Sequence, residues 1–392
     1  MAWFIGVYAV LTSVSALSLA LLLARRFRSG QASGAEAHPP DSVSVLVPIK
    51  GVDERTPEVL QSLVSSALPG EVEFIFAMES EDDPAFQVCT QLQRDNPARD
   101  IKIVISGEAR ELMGKQHNLA HAFSQSRGQT IVCMDADIDV APDTIRKGLA
   151  YVDSSAVGSA FFLPAYRGDA PWGGRFVEMY LNYQYNLFMG ALATLTDPPF
   201  IFGGLWMTRR ASLERTGGFR SFGRTVSDDA AIGRAFLEQG LKNVLIPETV
   251  STPSENLGLT GGLRHLGKWI GMLRAEGIGP YLAVWLWWHP IFWSGFLFVL
   301  GAATGWLTGA SATFAAVTLG FCTVAKVASG VTLDRGVYRR RALPSVVPLL
   351  LYEVFVVPAV FGPGLFRRSV TWKGRRYRLG RGGMVQGLED RD

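Results

Sequence analysis

Three observations predict an α/β fold, a mostly parallel sheet flanked by helices, carried between membrane segments at both ends of the chain. Short β-branched or apolar runs alternate with stretches of helical spacing between residues 43 and 134, and strands separated by helices build doubly wound, mostly parallel sheets. Two of those runs end in carboxylate clusters, at the edge where open α/β sheets bind their ligands. Apolar runs close to the roughly 20 residues needed to span a bilayer lie at the start of the chain and toward its end.

Residues 2–24 carry no charge, have no basic stretch ahead of them and are followed by Arg25-Arg26-Phe27-Arg28. That order suits an uncleaved anchor (1–25) better than a secretory signal peptide, and the arginines predict a cytoplasmic domain after it. Residues 26–41 are largely small and polar and end at Pro39-Pro40-Asp41, so they read as a linker. Val43 to Lys50 is a strand that Pro48 stops. A helix over 58–67 follows, then a strand over 72–78 that ends in Glu79, Glu81, Asp82 and Asp83-Pro84. A helix over 86–94 and a strand over 101–105 come next. Gly114-Lys115-Gln116-His117-Asn118 opens a helix leading to the strand at Ile131. Lys115 and Asn118 sit where a helix start meets the ligand edge. His117 and His121 are spaced i, i+4 but lack the Glu of a metalloprotease box, which favours a structural role.

The strand Ile131 to Met134 runs into Asp135, Asp137 and Asp139. In an extended segment alternate residues share a side, and two carboxylates a residue apart hold a hard divalent cation and, through it, a diphosphate. The plainer alternative is an acidic turn leading into a helix capped at Asp143. The second carboxylate-ended strand at the same edge favours a nucleotide-type site, with Asp139 left as solvated turn.

Farther on lie an aromatic-rich region over 161–202, then Phe202-Gly203-Gly204-Leu205-Trp206-Met207, then Ser227-Asp228-Asp229-Ala230 before a helix over 231–239. Asp228 is a candidate cap for that helix. Two adjacent carboxylates exceed what a cap needs, which leaves one to act as a general base. Residues 261–279 are basic and amphipathic, as an interfacial helix is, and such a helix can also floor an active site.

Three further apolar segments cover 281–307, 311–331 and 343–361. Lys326 and Glu353 fall inside them; charges there are costly, and a mutual ion pair or a snorkelling Lys is the plainest reading. Arg335, Arg339, Arg340, Arg341 and the arginines between 367 and 381 flank these segments. Three full crossings after a cytoplasmic domain put that tail outside, whereas its charge predicts inside. Segment 343–361, with Pro344, Pro348 and Pro358, reads as re-entrant or broken; alternatively 281–307, with Pro290, reads as a hairpin. A net charge of +3 gives no argument for nucleic acid. Cys89, Cys133 and Cys322 have no metal spacing and suggest no disulfide framework.

The ordered series Asp83-Pro84, Asp135-x-Asp137, Asp228-Asp229 and His265-x-x-Lys268-Trp269, with Pro142-Asp143-Thr144, Gly217-Gly218-Phe219 and the basic-aromatic tail over 369–379, resembles the inverting family 2-like glycosyltransferases that use nucleotide-sugars. Within them it is most similar to ceramide glucosyltransferases and their bacterial relatives, over residues 40–383. The resemblance implies a glycosyltransferase A-type domain over 42–260, membrane segments over 280–366 and a cytoplasmic tail over 367–392. It also implies a bacterial inner membrane, a UDP-sugar donor, a membrane-lipid acceptor such as ceramide, and Mg²⁺ or Mn²⁺. Asp83 is then expected at the uracil or ribose, with Pro48 and Lys50 nearby. Asp135 and Asp137 are expected to hold the metal and diphosphate, and Asp229 to be the base, with Asp228 and Lys115 among the substrate contacts. His265, Lys268 and Trp269 are expected near the diphosphate and acceptor. Relatives carry (Gln/Arg)-x-x-Arg-Trp; Lys268 keeps the charge but lacks the bidentate fork. That departure leaves glucose or N-acetylglucosamine as the sugar, and ceramide, a hopanoid-type polyol or another lipid alcohol as the acceptor. A processive polysaccharide synthase and a non-catalytic nucleotide-sugar receptor are the competing readings.

Overall fold

The computed structural model describes residues 2–30, 41–340, 346–372 and 375–389. Most of the expected linker (31–40), Arg341, Pro344 and Lys373-Gly374 lie outside the described residues. The chain divides into two compact units, one of Gly30–Ala165 and Ala193–Pro253, the other of Met1–Ser29, Tyr166–Leu192 and Ser254–Asp392.

The first unit is α/β. Its seven strands are β1 (Ser42–Pro48), β2 (Glu71–Met78), β3 (Asp100–Ile105), β4 (Thr130–Met134), β5 (Val157–Arg167), β6 (Leu205–Arg209) and β7 (Lys242–Pro253), in the order β3-β2-β1-β4-β6-β5-β7. The first four pair in parallel, as expected, and β6 runs antiparallel to β4 and β5. All five residues of β4 are buried, which is why the parallel strands read as continuous rather than alternating apolar runs. Val45, Val47, Phe74, Phe76, Val132 and Met134 share one core cluster. Parallel pairing puts the carboxyl ends of β1, β2 and β4 at one edge. At the other end of the sheet, buried Glu73 of β2 accepts from Ser44 Oγ at 2.5 Å, Lys102 Nζ at 2.6 Å and the Arg127 amide at 2.6 Å.

Helices stand where the sequence predicts them, at Thr56–Val64, Pro84–Asp95, Gly114–Gln125 and Asp228–Glu238. The expected cap at Asp143 is not made. That residue precedes helix Thr144–Leu149 without a side-chain cap bond, because its carboxylate pairs with Lys147 at 3.0 Å.

The second unit is mainly helical. Ala2–Ser29, Gly309–Tyr338 and Val346–Gly364 are long and apolar enough to cross a membrane, while Ile278–Trp287 and Pro290–Ala303 are two helices bent by 77°. Pro290 opens the second of these; a proline has no amide to donate and clashes with the preceding turn, so the apolar run breaks there. The first and third apolar runs pack in parallel. Ile5 shares a cluster with Ala315, Ala9 shares one with Cys322, and a Cβ on Gly336 would lie 2.3 Å from that of Ala24. Arg25, Arg26 and Arg28 are thereby at the same end as Arg335, Arg339 and Arg340. A small antiparallel sheet, β8 (Ser369–Trp372), β9 (Arg375–Leu379) and β10 (Val385–Glu389), follows.

Candidate active site

The site in the α/β unit is built on the loop after β4. The Asp135 amide donates to Gly204 O at 2.8 Å, and Ile138 N returns to Asp135 O at 3.1 Å. The chain therefore leaves the sheet as a turn, and Asp135, Asp137 and Asp139 are not alternate residues on one side of an extended strand. Asp139 is not solvated turn either. Its backbone bridges Ser251 through bonds of 2.8 and 3.2 Å, and its carboxylate pairs with Arg55 at 3.2 Å.

Helix Gly114–Gln125 brings two consecutive side chains to this loop. Lys115 Nζ lies 2.8 Å from Asp135 Oδ1 and donates to Gly203 O at 3.3 Å. Buried Gln116 donates to Asp228 Oδ2 at 2.6 Å. Ser227 stands at the N-cap of helix Asp228–Glu238, so Asp228 opens the helix rather than capping it. Asp229 accepts from Gly203 N at 3.2 Å, and its own carbonyl accepts from Ile201 N at 3.1 Å. A Cβ on Gly203 would lie 2.1 Å from Asp229 Oδ1, so a larger residue there would displace that carboxylate.

Asp135, Asp228 and Asp229 thus gather around one ammonium. Burial, then the like charges of Asp228 and Asp135, push the Asp229 carboxyl up to about 8, against the opposing pull of Lys115 and the Gly203 amide. Burial alone would lower Lys115; the three carboxylates outweigh it and hold the ammonium above its ordinary range. A carboxyl poised near neutrality in such a cluster has the strength a general base needs.

Asp83 lies at the adjoining strand ends. It caps helix Pro84–Asp95 through the Ala85 amide at 2.9 Å, and both of its oxygens accept from Gly51 N at 3.0 Å. It therefore fixes the loop after β1, where Pro48 closes the strand and Lys50 pairs with Glu79 at 3.4 Å. Asn118 is buried; it accepts from Ser106 Oγ at 2.7 Å and donates to Ile49 O at 3.4 Å, so its side chain holds that same loop. His117 bonds to Ser106 O at 3.0 Å, a structural role as expected.

His265, Lys268 and Trp269 lie in the helical unit, on helix Leu259–Glu276. His265 Nδ1 is 2.9 Å from Glu255, its ring meets Trp269 edge-on at 4.3 Å, and Trp269 stacks on Tyr180 at 5.9 Å. Lys268 Nζ is 5.8 Å from the Trp269 ring centroid. Sequence reasoning missed Gln116 and Gly203. The Gly203-Gly204 pair inside an aromatic stretch was the available signal, since a backbone that must approach a side chain closely needs glycine.

Among the described residues no group of three or more His, Cys, Asp or Glu side chains is disposed to hold a metal ion. The chemistry of the turn residues is nonetheless of the right type: Asp135 and Asp137 are carboxylates two residues apart in the turn after β4, and Asp228 and Asp229 add negative charge beside Asp135. Mg²⁺ in such sites takes one or two carboxylates and completes its shell with substrate phosphates and water.

The glycosyl transferase family 21 model matches residues 5–385. The chain is 22% identical over 353 residues to ceramide glucosyltransferase 1 of Caenorhabditis elegans, covering 88% of this chain and 73% of that protein. It is 25% identical over 201 residues to a ceramide glucosyltransferase of Pyricularia oryzae, covering 44% of this chain and 41% of the relative. With the beta-monoglucosyldiacylglycerol synthase of Synechocystis it shares 26% over 301 residues, covering 73% of this chain and 59% of the relative. Among solved structures, a mannosyltransferase from Pyrobaculum calidifontis in complex with GDP-Man and Mn²⁺ shares the fold, with a TM-score of 0.51 at 17% identity over 92% of this chain and 99% of that one.

Proposed function

The chain belongs to glycosyl transferase family 21 and is a ceramide glucosyltransferase-like glycosyltransferase, and from that premise we propose that it transfers a hexose, glucose first, from a UDP-sugar to a hydroxyl of a membrane lipid with inversion. The observation that carries the reading is the gathering of Asp135, Asp228 and Asp229 about Lys115, with Asp229 held by the Gly203 amide and Asp228 by Gln116. In the proposed step the acceptor oxygen attacks the anomeric carbon as its proton passes to Asp229. The carbon–oxygen bond to the diphosphate breaks, and UDP departs with the electron pair. Attack from the opposite face converts an α-linked donor into a β-linked product. Lys115 would answer the charge developing on the diphosphate, and Asp228, held by Gln116, would keep Asp229 a strong base. A bound Mg²⁺ or Mn²⁺ on Asp135 and Asp137 would supply neutralisation of the leaving diphosphate. Asp83, through the loop it fixes with Pro48 and Lys50, would frame the nucleoside. His265, Lys268 and Trp269 keep their assignment to diphosphate and acceptor.

The shared end of the two parallel apolar helices, with its six arginines, supports a cytosolic placement of that end by the positive-inside rule. We place the chain in a bacterial inner membrane with the catalytic domain toward the cytosol.

The test is incubation of the purified chain with labelled UDP-glucose or UDP-N-acetylglucosamine, Mn²⁺, and ceramide, diacylglycerol or a lipid extract, followed by mass spectrometry of the lipid product. Labelled lipid that falls about 10²–10⁴-fold in Asp229→Asn is the expected result. With Lys268 in place of arginine a second reading stands beside it, N-acetylglucosamine transfer to a hopanoid-type or other lipid polyol, which the same spectra identify. Label in long polymer would instead mark a processive synthase, and nucleotide-sugar binding without transfer a receptor.

A further inference from the structure

Three departures from regular helix meet at one point inside the helical unit. Gln184 belongs to a π-helical turn, Leu181–Tyr185; Glu353 belongs to another, Tyr352–Val356; and His289 stands at the break between the helices bent by 77°. Gln184, His289 and Glu353 are fully buried, and Lys326 nearly so. Gln184 Nε2 donates to Glu353 Oε1 at 2.5 Å and lies 3.2 Å from His289 Nδ1. His289 Nδ1 is 3.4 Å from Glu353, and Lys326 Nζ pairs with Glu353 at 2.8 Å and with Trp288 O at 3.3 Å. The expected Lys326–Glu353 ion pair is therefore made, but it has company that an ion pair does not require.

That company is left with unused capacity. Gln184 Oε1, His289 Nε2, Glu353 Oε2 and the hydroxyl of Tyr352, whose ring is 6.3 Å from His289, are buried and have no hydrogen-bond partner among the described residues. Buried polar atoms are almost always paired, and leaving them unpaired is most costly in a water-poor interior. Single π-turns inside α-helices occur frequently at functional sites, and ionisable side chains within apolar spans, as Lys326 and Glu353 are, are a default signal of function. Here one π-turn and a helix break each deliver a side chain to the carboxylate that the second π-turn carries.

The chemistry of the unused atoms selects a ligand. Lys326 neutralises Glu353, so the cluster needs no counter-ion. Two of the four atoms, Gln184 Oε1 and Glu353 Oε2, only accept; the imidazole nitrogen and the phenol can accept or donate. A phosphate brings acceptors and negative charge and finds little to bind. A hydroxyl or an amide N–H brings donors. We propose that Gln184, His289, Glu353 and Tyr352 form a polar subsite, buried in the helical unit, for the hydroxyl or amide head of an uncharged lipid. The proposal rests on the reading of the chain as a lipid glycosyltransferase and adds a place in the helical unit where the hydroxyl or amide of the acceptor is held.

The full chain in phosphatidylcholine nanodiscs is titrated with short-chain ceramide and dioctanoylglycerol, with dioctanoyl phosphatidate as competitor, and retained lipid is read by native mass spectrometry. Uncharged lipids are expected to be retained and not displaced by phosphatidate. Gln184→Leu is expected to weaken retention at least tenfold and to raise the KM for lipid, leaving UDP affinity unchanged. The paired variant Lys326→Met with Glu353→Gln, which buries no unpaired charge, is expected to do the same. Displacement by equimolar phosphatidate overturns the subsite, as does wild-type retention in a Gln184→Leu chain with unchanged near-UV circular dichroism. Retention that is lost in Gln184→Leu, from a chain that transfers no sugar to any lipid, upholds the subsite and overturns only the acceptor reading.

Discussion

Lys115 Nζ lies 2.8 Å from Asp135 Oδ1, and this pair joins the start of one helix to the end of the central parallel strand β4. The same ammonium donates to Gly203 O, while the amide of Gly203 donates to Asp229. One residue of backbone therefore couples the cation to the carboxyl assigned the proton transfer. Changing Lys115 alters that proton chemistry as well as the charge offered to a leaving diphosphate.

Lys115→Met removes the larger of the two influences that lower the Asp229 carboxyl, leaving the Gly203 amide. Its carboxyl, at about 8 with Lys115 present, titrates higher without it. A base must be ionised to work, so the acidic limb of the kcat/KM profile moves to higher pH. The maximal rate falls about 10²–10³-fold, the loss typical of one electrostatic stabiliser. Asp228→Asn, which removes a like charge, moves the limb the opposite way. Profiles that move together in both variants would contradict this coupling.

Asp229 also carries a stability consequence. Its folded value, about 8, lies above the unfolded carboxylate range, so the folded state favours the protonated form. Stability from that proton is fully present below the unfolded value, near 3.9, and is lost as pH rises through about 8. Asp229→Asn, neutral throughout, is expected to melt near wild type at pH 4 and above it at pH 8 to 9, with the gap widening between. Differential scanning fluorimetry of both proteins across that range reads it directly.

Gly203→Ala places a methyl 2.1 Å from Asp229 Oδ1. Something must shift, and nearby Ile201 and Gly204 have backbones that bond to Asp229 and Asp135. Overpacking of this kind costs about 1–3 kcal/mol. Transfer is expected to fall at least tenfold, with nucleotide affinity less affected.

Glu73 provides a contrast at the opposite end of β2. Burial would raise its carboxyl, but the Arg127 amide, Lys102 and Ser44 outweigh burial and hold it below its usual range. A depressed folded value stabilises the fold above the unfolded value, and that contribution is lost as pH falls through the folded one. Glu73→Gln is expected to lose roughly 1–3 kcal/mol at pH 7 and to approach wild type in acid. Its turnover per folded molecule is expected to be unchanged.

The strands were legible because the parallel half of the sheet is buried on both faces, so β1, β2 and β4 stand out as unbroken apolar runs. The acids were legible as a set because parallel strands end at one edge. The shape of the Asp135 loop was not. An alternating pattern presumes that the strand continues, whereas β4 has only five residues paired to β6, after which Gly204 O captures the Asp135 amide. Gln116 left no trace beyond being polar beside Lys115. The π-turns at Gln184 and Glu353 were invisible for a related reason, since an inserted residue in a helix is tolerated by tertiary packing that residue spacing does not encode.

The metal assignment separates Asp135 from Asp137. Asp135 is engaged with Lys115, so Asp135→Ala unbalances the whole cluster and is expected to abolish both metal-dependent donor binding and transfer. Asp137 is exposed in the turn, and Asp137→Asn takes one carboxylate from the donor set for a cation. That variant is expected to need at least tenfold more Mn²⁺ for half-maximal transfer, with metal-free UDP affinity near wild type by calorimetry. EDTA is expected to stop transfer in the wild type and Mn²⁺ to restore it. Wild-type Mn²⁺ dependence in Asp137→Asn, together with full activity in Asp135→Ala and continued inhibition by EDTA, would move the cation away from this turn.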